Sequence, residues 1–199
     1  MTNTTLYIIR HGETEANKTG VLMGSTDTPL NDKGRAQAAQ LHQRTQGLEV
    51  DLICASPLSR TLETGSIVFG DSAEITTDSN LQEFHFGDWE GMHFKEIAKQ
   101  YPDIWEMWLT DWEQTQIPGA ESFAGFKQRV ITMVEQMVQS HAGKRLAVVS
   151  HGGCIRTLLA HFFSESVSKG YWQFKVDNAT LTEIEFMGEL PILTRFNYR

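Results

Sequence analysis

The hydrophobic and polar positions follow two alternating patterns along the chain. Short apolar runs of strand length occur at residues 6–9, 51–55 and 146–150. Each run leads into a polar turn and then into a stretch whose apolar residues recur every three or four positions, which is typical of a helix with one buried face. These stretches predict helices over residues 31–46, 57–69, 94–112, 122–141 and 153–163. Strands that alternate with helices favour a mostly parallel sheet flanked by helices.

The end of the chain departs from that alternation. Residues 180–187 and 191–197 have strand patterns and are joined at Gly188, which predicts a hairpin and therefore at least one antiparallel strand. The expected fold is α/β, a three-layer α-β-α sandwich. We expect a single domain over residues 1–199, in which the irregular, aromatic-rich segment 78–119 forms a lid or subdomain.

Composition narrows the range of partners. The chain has 199 residues, of which 40% are hydrophobic, enough to bury a core. Its 17 basic and 25 acidic residues give a net charge of −8, which argues against binding to nucleic acid or to a membrane surface. The start of the chain lacks a basic segment, and its apolar run is too short for a signal peptide or a membrane span, so we expect a cytoplasmic protein. An anionic substrate must then be held by local positive charge.

Charged and nucleophilic side chains follow three of the predicted strands. The first strand leads into Arg-His-Gly-Glu-Thr at 10–14, with Asn17 just beyond it. The second leads into Ser-Pro-Leu-Ser-Arg at 56–60, and the third into Ser-His-Gly-Gly at 150–153. Because the carboxyl ends of parallel strands meet at one edge of a sheet, we expect these residues to converge there.

The residues at this edge are suited to an anion. Ser56 can cap a helix that opens with Pro57, which places Arg60 one turn in, beside free backbone N–H groups. A helix N-terminus together with a guanidinium group is an anion site. Gly152 and Gly153 let backbone N–H groups approach a ligand, since neither has a side chain. The pattern predicts a phosphate site.

The same residues carry a family resemblance. The sequence LYIIRHGET at 6–14 resembles the Arg-His-Gly signature of the histidine phosphatase superfamily, which includes the phosphoglycerate mutases. Segments similar to later blocks of that family follow in the same order, at 26–34, 56–60, 81–91 and 150–153. The resemblance therefore covers residues 6 to about 155 and does not depend on one short motif.

The resemblance implies a role for each of these residues. His11 would be the nucleophile and Glu83 the proton donor, and the phosphate ligands would be Arg10, Asn17, Arg60 and His151. From its position at the helix start, the backbone of Gly152 is a further candidate phosphate ligand. Cationic arginines should lower the pKa of His11 and so keep its imidazole neutral. A single carboxyl group can protonate the leaving oxygen and later deprotonate water. The scheme needs no metal and no cofactor.

Several alternatives stay open at this point. Asp88 and Glu90 lie close to Glu83 in the sequence and could take its role. Asn17 could be only a cap or turn residue. A zinc site on the two histidines and a carboxylate has no spaced ligand motif to support it. The aromatic stripe Tyr101, Trp105, Trp108 and Trp112 could face the core or cover the substrate.

Two positions depart from the family pattern. Ala120 stands where relatives often have a second glycine, which puts a close backbone approach or a positive φ there in doubt. Glu63 lies three positions after Arg60 on the predicted helix. We expect it to pair with Arg60 and to weaken the hold of that arginine on phosphate.

The substrate is indicated less directly. The block FGDWEG at 86–91 and the compact length resemble the branch that acts as α-ribazole-5'-phosphate phosphatases in cobalamin assembly, and an aromatic lid could stack on the base of that ester. The alternatives are a broad-specificity small-molecule or sugar phosphatase, a phosphoglycerate mutase, and a non-catalytic regulatory module. The expected partner is a small phosphate ester, and a homodimer is compatible with the sequence.

Overall fold

The computed structural model describes residues 3–199 and contains a six-stranded sheet. The strands, in chain order, are β1 (Thr4–Arg10), β2 (Leu52–Ala55), β3 (Ile75–Thr77), β4 (Arg145–Ser150), β5 (Leu181–Met187) and β6 (Leu190–Tyr198). Across the sheet they lie in the order β3-β2-β4-β1-β5-β6. The first four strands run parallel, whereas β5 is antiparallel to β1 and β6 is antiparallel to β5. The predicted mixed α/β sheet and its terminal hairpin are confirmed.

The described part of the chain has eight α-helices. They are α1 (Glu15–Thr19), α2 (Asp32–Arg44), α3 (Ser59–Phe69), α4 (Phe94–Gln100), α5 (Pro102–Asp111), α6 (Phe123–Ser140), α7 (Gly152–Phe163) and α8 (Val167–Gly170). Short 3₁₀ turns occur at Ser79–Leu81, Gly87–Trp89 and Tyr171–Gln173. No helix within residues 3–199 has the length and apolar content needed to cross a bilayer.

The alternation of side chains along β1 explains the three layers. Leu6 and Ile8 belong to one buried cluster, which includes the apolar faces of α6 and α7. Tyr7 and Ile9 belong to a second cluster, which includes residues of α2 and α3. Successive side chains of a strand point to opposite faces, so both faces of the sheet are covered by helices.

Several elements differ from the sequence prediction: α1 and α8 were not predicted, and α3 begins at Ser59 without the expected cap from Ser56. The predicted helix over 94–112 is two helices, because Pro102 lacks an N–H group and restricts the residue before it. Tyr101 accordingly has φ −128° and ψ 54°, outside the helical region. Strand β3 was not predicted, since it has only three residues and two of them are exposed. The single domain over residues 1–199 and the lid formed by residues 78–119 both stay predictions.

Candidate active site

Three strand ends bring the predicted residues together at one edge of the sheet. Strands β1 and β4 are neighbours, with Arg10 opposite Ser150, and β2 lies on the other side of β4. His11 therefore follows β1 beside His151, which follows β4. Their ring centroids are 5.2 Å apart.

A backbone carbonyl determines which ring nitrogen of His11 carries the hydrogen. Its Nδ1 lies 2.7 Å from the carbonyl oxygen of Gly12, which can only accept a hydrogen bond, so Nδ1 carries the hydrogen. Burial, followed by the charges of Arg10 and Arg60, holds the pKa of His11 well below its usual 6.5. The imidazole is therefore neutral near pH 7, with an unprotonated Nε2 that can act as a nucleophile.

The loop that carries His11 is held by residues from elsewhere in the chain. The N–H of Gly12 donates to Oγ1 of Thr64 at 3.0 Å. The side-chain amide of Asn178 donates to the carbonyl of His11 at 3.1 Å, and the N–H of Ala179 donates to the same carbonyl at 3.1 Å. Each of these bonds satisfies a backbone group of the loop, so together they fix its conformation.

Arg10 lies over the first turn of helix α7. One of its terminal nitrogens donates to the carbonyl of Val176 at 2.5 Å, whereas its buried Nε has no partner among residues 3–199. A Cβ atom placed on Gly152 would lie 3.4 Å from the guanidinium carbon, so the guanidinium packs on the start of α7. Burial lowers the pKa of Arg10 to about 10, against the opposing charge of Glu83. The guanidinium and the helix N-terminus form one cationic surface suited to phosphate.

Arg60 is buried and held by three acceptors. It donates to Nδ1 of His151 at 3.3 Å, to the carbonyl of Thr26 at 2.9 Å and to the carbonyl of Gly24 at 2.6 Å. Since a guanidinium has five N–H groups, two remain for a ligand. Because Nδ1 of His151 accepts, its Nε2 carries the proton and donates to Oγ of Ser56 at 2.8 Å. Burial and the neighbouring positive charges lower the pKa of His151 well below 6.5.

The loop beneath Arg60 is organised by Glu90. Its carboxylate accepts hydrogen bonds from the backbone N–H groups of Gly24, Thr26 and Phe86, at 3.0, 3.3 and 2.9 Å. Burial alone would raise its pKa, but these hydrogen bonds outweigh burial and lower it. Glu90 therefore supports the carbonyls that hold Arg60.

Glu83 is the carboxylate that reaches the candidate site. Its two oxygens accept from the N–H of Gly153 at 2.8 Å and of Phe84 at 3.0 Å. A Cβ atom on Gly153 would lie 2.2 Å from the Glu83 carboxylate, so this approach requires a glycine. Of the two rival carboxylates, Asp88 is exposed and Glu90 is occupied by backbone N–H groups. The geometry favours Glu83 as the proton donor.

Asn17 serves as a capping residue and also lines the cavity. Its Oδ1 accepts from the N–H of Thr14 at 3.2 Å and from the side chain of Asn178 at 3.1 Å. With the oxygen occupied, the Nδ2 group is the part of Asn17 that can donate to a ligand. The cap interpretation and the ligand interpretation are therefore compatible.

A cavity of about 330 Å³ opens at this edge of the sheet. Its polar lining includes Arg10, Asn17, Glu83 and Gly152, whereas His11, Arg60 and His151 are buried and are not part of the lining. Most of the remaining lining is aromatic. We call five of these residues the aromatic wall: Phe94, Trp105, Trp108, Trp112 and Trp172.

The tryptophans of the predicted stripe pack on the core and also line the cavity. Trp105 and Trp108 pack on the buried Trp89, with ring centroids 5.9 and 5.6 Å away, and they also line the cavity. Trp112 packs against Phe123 at 4.4 Å and lines the cavity too.

The structure resolves both departures from the family pattern. Glu63 pairs with Arg35 at 2.6 Å, and Arg60 turns towards carbonyl groups instead, so the expected pairing of Glu63 with Arg60 was wrong. The left-handed conformation falls on Gly119, with φ 72°, and Ala120 has no positive φ. The alanine therefore costs no strain there.

Some residues of the site were missed from the sequence. Asn178 gave only an Asn-x-Thr triplet as a signal, and Trp172 gave none, because it lies outside every periodic stretch. The support that Glu90 gives to Arg60 was also missed, since it depends on a folded loop. Within residues 3–199, no three histidine, cysteine or carboxylate side chains are grouped so that they could hold a metal ion.

Comparisons with known proteins agree with this geometry. The family model described as the histidine phosphatase superfamily (branch 1) matches residues 6–199. The chain is 31% identical to the adenosylcobalamin/α-ribazole phosphatase of Escherichia coli, over 98% of this chain and 96% of that one. The α-ribazole phosphatase of Shigella flexneri superposes with a TM-score of 0.89 at 31% identity, over 97% and 96% of the two chains. The phosphoserine phosphatase of Entamoeba histolytica superposes with a TM-score of 0.86 at 30% identity, over 98% of each chain.

Proposed function

The chain belongs to branch 1 of the histidine phosphatase superfamily, and we propose that it hydrolyses phosphate monoesters through a phosphohistidine formed on His11. The observation that carries the proposal is the hydrogen bond from Nδ1 of His11 to the carbonyl of Gly12, which leaves Nε2 unprotonated. A buried neutral imidazole beside two arginines is an activated nucleophile next to a phosphate site.

In the first step, Nε2 of His11 attacks phosphorus while the bond from phosphorus to the ester oxygen breaks. Glu83 donates its proton to that oxygen, so the alcohol leaves neutral. Arg10 and the remaining N–H groups of Arg60 stabilise the negative charge on the transferred group. The N–H of Gly152, in the first turn of α7, can donate to the same oxygens.

In the second step, water replaces the histidine. The Glu83 carboxylate removes a proton from water, the oxygen of water bonds to phosphorus, and the bond between Nε2 and phosphorus breaks. Inorganic phosphate leaves, and both His11 and Glu83 return to their starting protonation states. One carboxyl group thus serves as acid and then as base.

As substrate we propose α-ribazole 5'-phosphate, which would be hydrolysed to α-ribazole and phosphate. This rests on the names of the Escherichia coli and Shigella flexneri relatives and on the aromatic wall. A cavity of about 330 Å³ is within the range that takes small organic ligands. Flat bases stack well on aromatic side chains.

A second candidate is a phosphatase for small esters that carry a carboxylate, such as phosphoserine. Arg156 lines the cavity, and within residues 3–199 it forms no ion pair with a carboxylate, whereas Arg35, Arg129 and Arg145 each form at least one. An unpaired arginine can bind a carboxylate. The phosphoserine phosphatase among the similar structures fits this alternative.

The test is kcat/KM for α-ribazole 5'-phosphate, phosphoserine and 4-nitrophenyl phosphate, measured in excess chelator with His11→Ala as the control enzyme. A preference for α-ribazole 5'-phosphate that is lost with His11 supports the whole proposal. Comparable turnover of all three esters supports the histidine mechanism and indicates a broad-specificity phosphatase instead of one specific for α-ribazole 5'-phosphate. Activity that survives in His11→Ala contradicts the mechanism.

Exchange between 2- and 3-phosphoglycerate faster than phosphate release would instead indicate a mutase. A cytoplasmic location and a homodimer remain proposals from the sequence. Cell fractionation and sedimentation of the purified chain would test them.

A further inference from the structure

Trp172 is the most exposed member of the aromatic wall, ahead of Phe94, which is 46% exposed. It lies in the 3₁₀ turn Tyr171–Gln173, lines the cavity, and is 56% exposed. Trp105 and Trp108 are committed to packing on the buried Trp89. An exposed tryptophan on a cavity lining leaves apolar surface in contact with water, which is unfavourable. Large aromatic side chains usually bury most of their surface, so this exposure needs an explanation.

The indole of Trp172 is nevertheless held in place. The guanidinium carbon of Arg156 lies 5.1 Å from its ring centroid, and Nε of Arg156 donates to the carbonyl of Phe174 at 3.1 Å. Trp112 meets Trp172 edge-on, with ring centroids 5.6 Å apart and an interplanar angle of 77°. A guanidinium over an indole face is a favourable cation–π contact. The ring is therefore fixed in orientation before a ligand arrives.

Contacts with residues 171–174 also hold Arg156 in place. Besides the bond to Phe174, its guanidinium lies 5.8 Å from the ring centroid of Tyr171, so it stacks with two consecutive aromatic residues. Helix α7 carries Arg156 four residues after Gly152, so the phosphate-binding end of the helix and the support of Trp172 belong to one rigid element. An arginine in this position orients the indole first and is less free to bind a carboxylate.

We propose that Trp172, oriented by Arg156, is the platform on which the planar base of the substrate stacks, and that it selects phosphate esters with an aromatic base over those without one. The inference rests on the proposed phosphatase function and adds the residue that contacts the base of the leaving alcohol. It also moves the stacking surface away from the predicted stripe of Trp105, Trp108 and Trp112.

The experiment compares an ester that has a base on C1 of its ribose with one that has a hydroxyl group there. Values of kcat and KM are measured for α-ribazole 5'-phosphate and for ribose 5-phosphate with wild type, Trp172→Leu and Gln173→Ala. Gln173 is the neighbouring exposed residue and does not line the cavity, so its variant is the matched control. Thermal unfolding of each variant verifies that it folds.

The expected result is a rise of about tenfold in KM for α-ribazole 5'-phosphate in Trp172→Leu, with KM for ribose 5-phosphate and both values in Gln173→Ala changed by less than about twofold. Arg156→Gln should raise KM for α-ribazole 5'-phosphate by a smaller factor. An equal rise for both esters, or no rise, overturns the proposal. A rise in KM for phosphoserine alone in Arg156→Gln also overturns it, because Arg156 would then bind a carboxylate.

The outcomes separate this inference from the proposed function. If wild type hydrolyses both esters with equal kcat/KM, the phosphatase function stands and selection by Trp172 fails. If wild type hydrolyses neither ester, nor 4-nitrophenyl phosphate, the phosphatase function fails and the inference with it.

Discussion

The phosphate end of the site and its aromatic wall are built in opposite ways. At the phosphate end, which we define as Arg10, His11, Arg60 and His151, ring nitrogens and guanidinium groups are held by backbone carbonyls and by one another. The aromatic wall is partly exposed, and its contacts are mainly between rings. Directional bonds fix atoms for chemistry, whereas ring packing leaves a surface that accepts flat ligands. We therefore expect changes at the phosphate end to alter kcat for every substrate and changes in the wall to alter KM for particular ones.

We expect the greatest loss of activity from Glu83→Gln, because Glu83 is the proposed acid that acts beside the phosphate end. Removing the acid should lower kcat by about 10²- to 10⁴-fold for esters of poor leaving groups, and by less for 4-nitrophenyl phosphate, whose leaving group needs little protonation. Steady-state kinetics with both kinds of ester measures this. Asp88→Asn is the matched control, since Asp88 is exposed. A larger loss in Asp88→Asn than in Glu83→Gln would assign the acid to Asp88.

The burial of the two histidines should appear as a pH dependence of stability. Their folded pKa values lie below the usual 6.5, so below pH 6.5 the unfolded chain binds protons that the folded chain does not. The free energy of unfolding should thus fall as pH falls below 6.5, by up to about 1.4 kcal/mol per pH unit for each histidine. Denaturant unfolding between pH 7.5 and about 5.5 measures this slope.

In His151→Gln, the dependence of the unfolding free energy on pH should be smaller, because only His11 then contributes to it. An unchanged slope in this variant would mean that His151 does not carry a lowered pKa. Equal unfolding free energies at pH 7 and below pH 6 in wild type would contradict the burial argument for both histidines.

Asn178→Ala tests whether the backbone around His11 must be held. The variant loses the amide donor to the His11 carbonyl and to Asn17, so we expect roughly a tenfold fall in kcat and a destabilisation of about 1–2 kcal/mol. The fall should be equal for esters with and without an aromatic base, unlike the effect of a wall variant. A loss confined to one class of ester would break the division between the two regions.

The smallest expected effect is electrostatic. Arg60 is one of the charges that lower the pKa of His11, so Arg60→Gln should raise that pKa towards 6.5, while Arg35→Gln, at an exposed position, should not. An NMR titration of the His11 ring measures the shift. A lower pKa in Arg60→Gln would contradict the assigned cause.

The two regions also differ in how far the sequence predicts them. The phosphate end follows strand ends that can be recognised from short apolar runs, and parallel topology then brings those ends together. Asn178 could not be placed, because its position beside His11 depends on β5 running antiparallel to β1. The wall was predicted only in part. The tryptophans at 105, 108 and 112 have helical spacing, although Pro102 divides the predicted helix in two. The position of Trp172 is set by a three-residue turn, which has no periodicity to recognise in the sequence.

We propose that His11 carries the phosphoryl group during turnover, and the phosphohistidine can be trapped on the protein. A radiolabelled phosphate ester is mixed with the enzyme and quenched in alkali, in which phosphohistidine survives, and the labelled peptide is then identified. We expect label on His11 in wild type, less label after acid treatment, and none in His11→Ala. Label on another residue, or full turnover in His11→Ala, would contradict it.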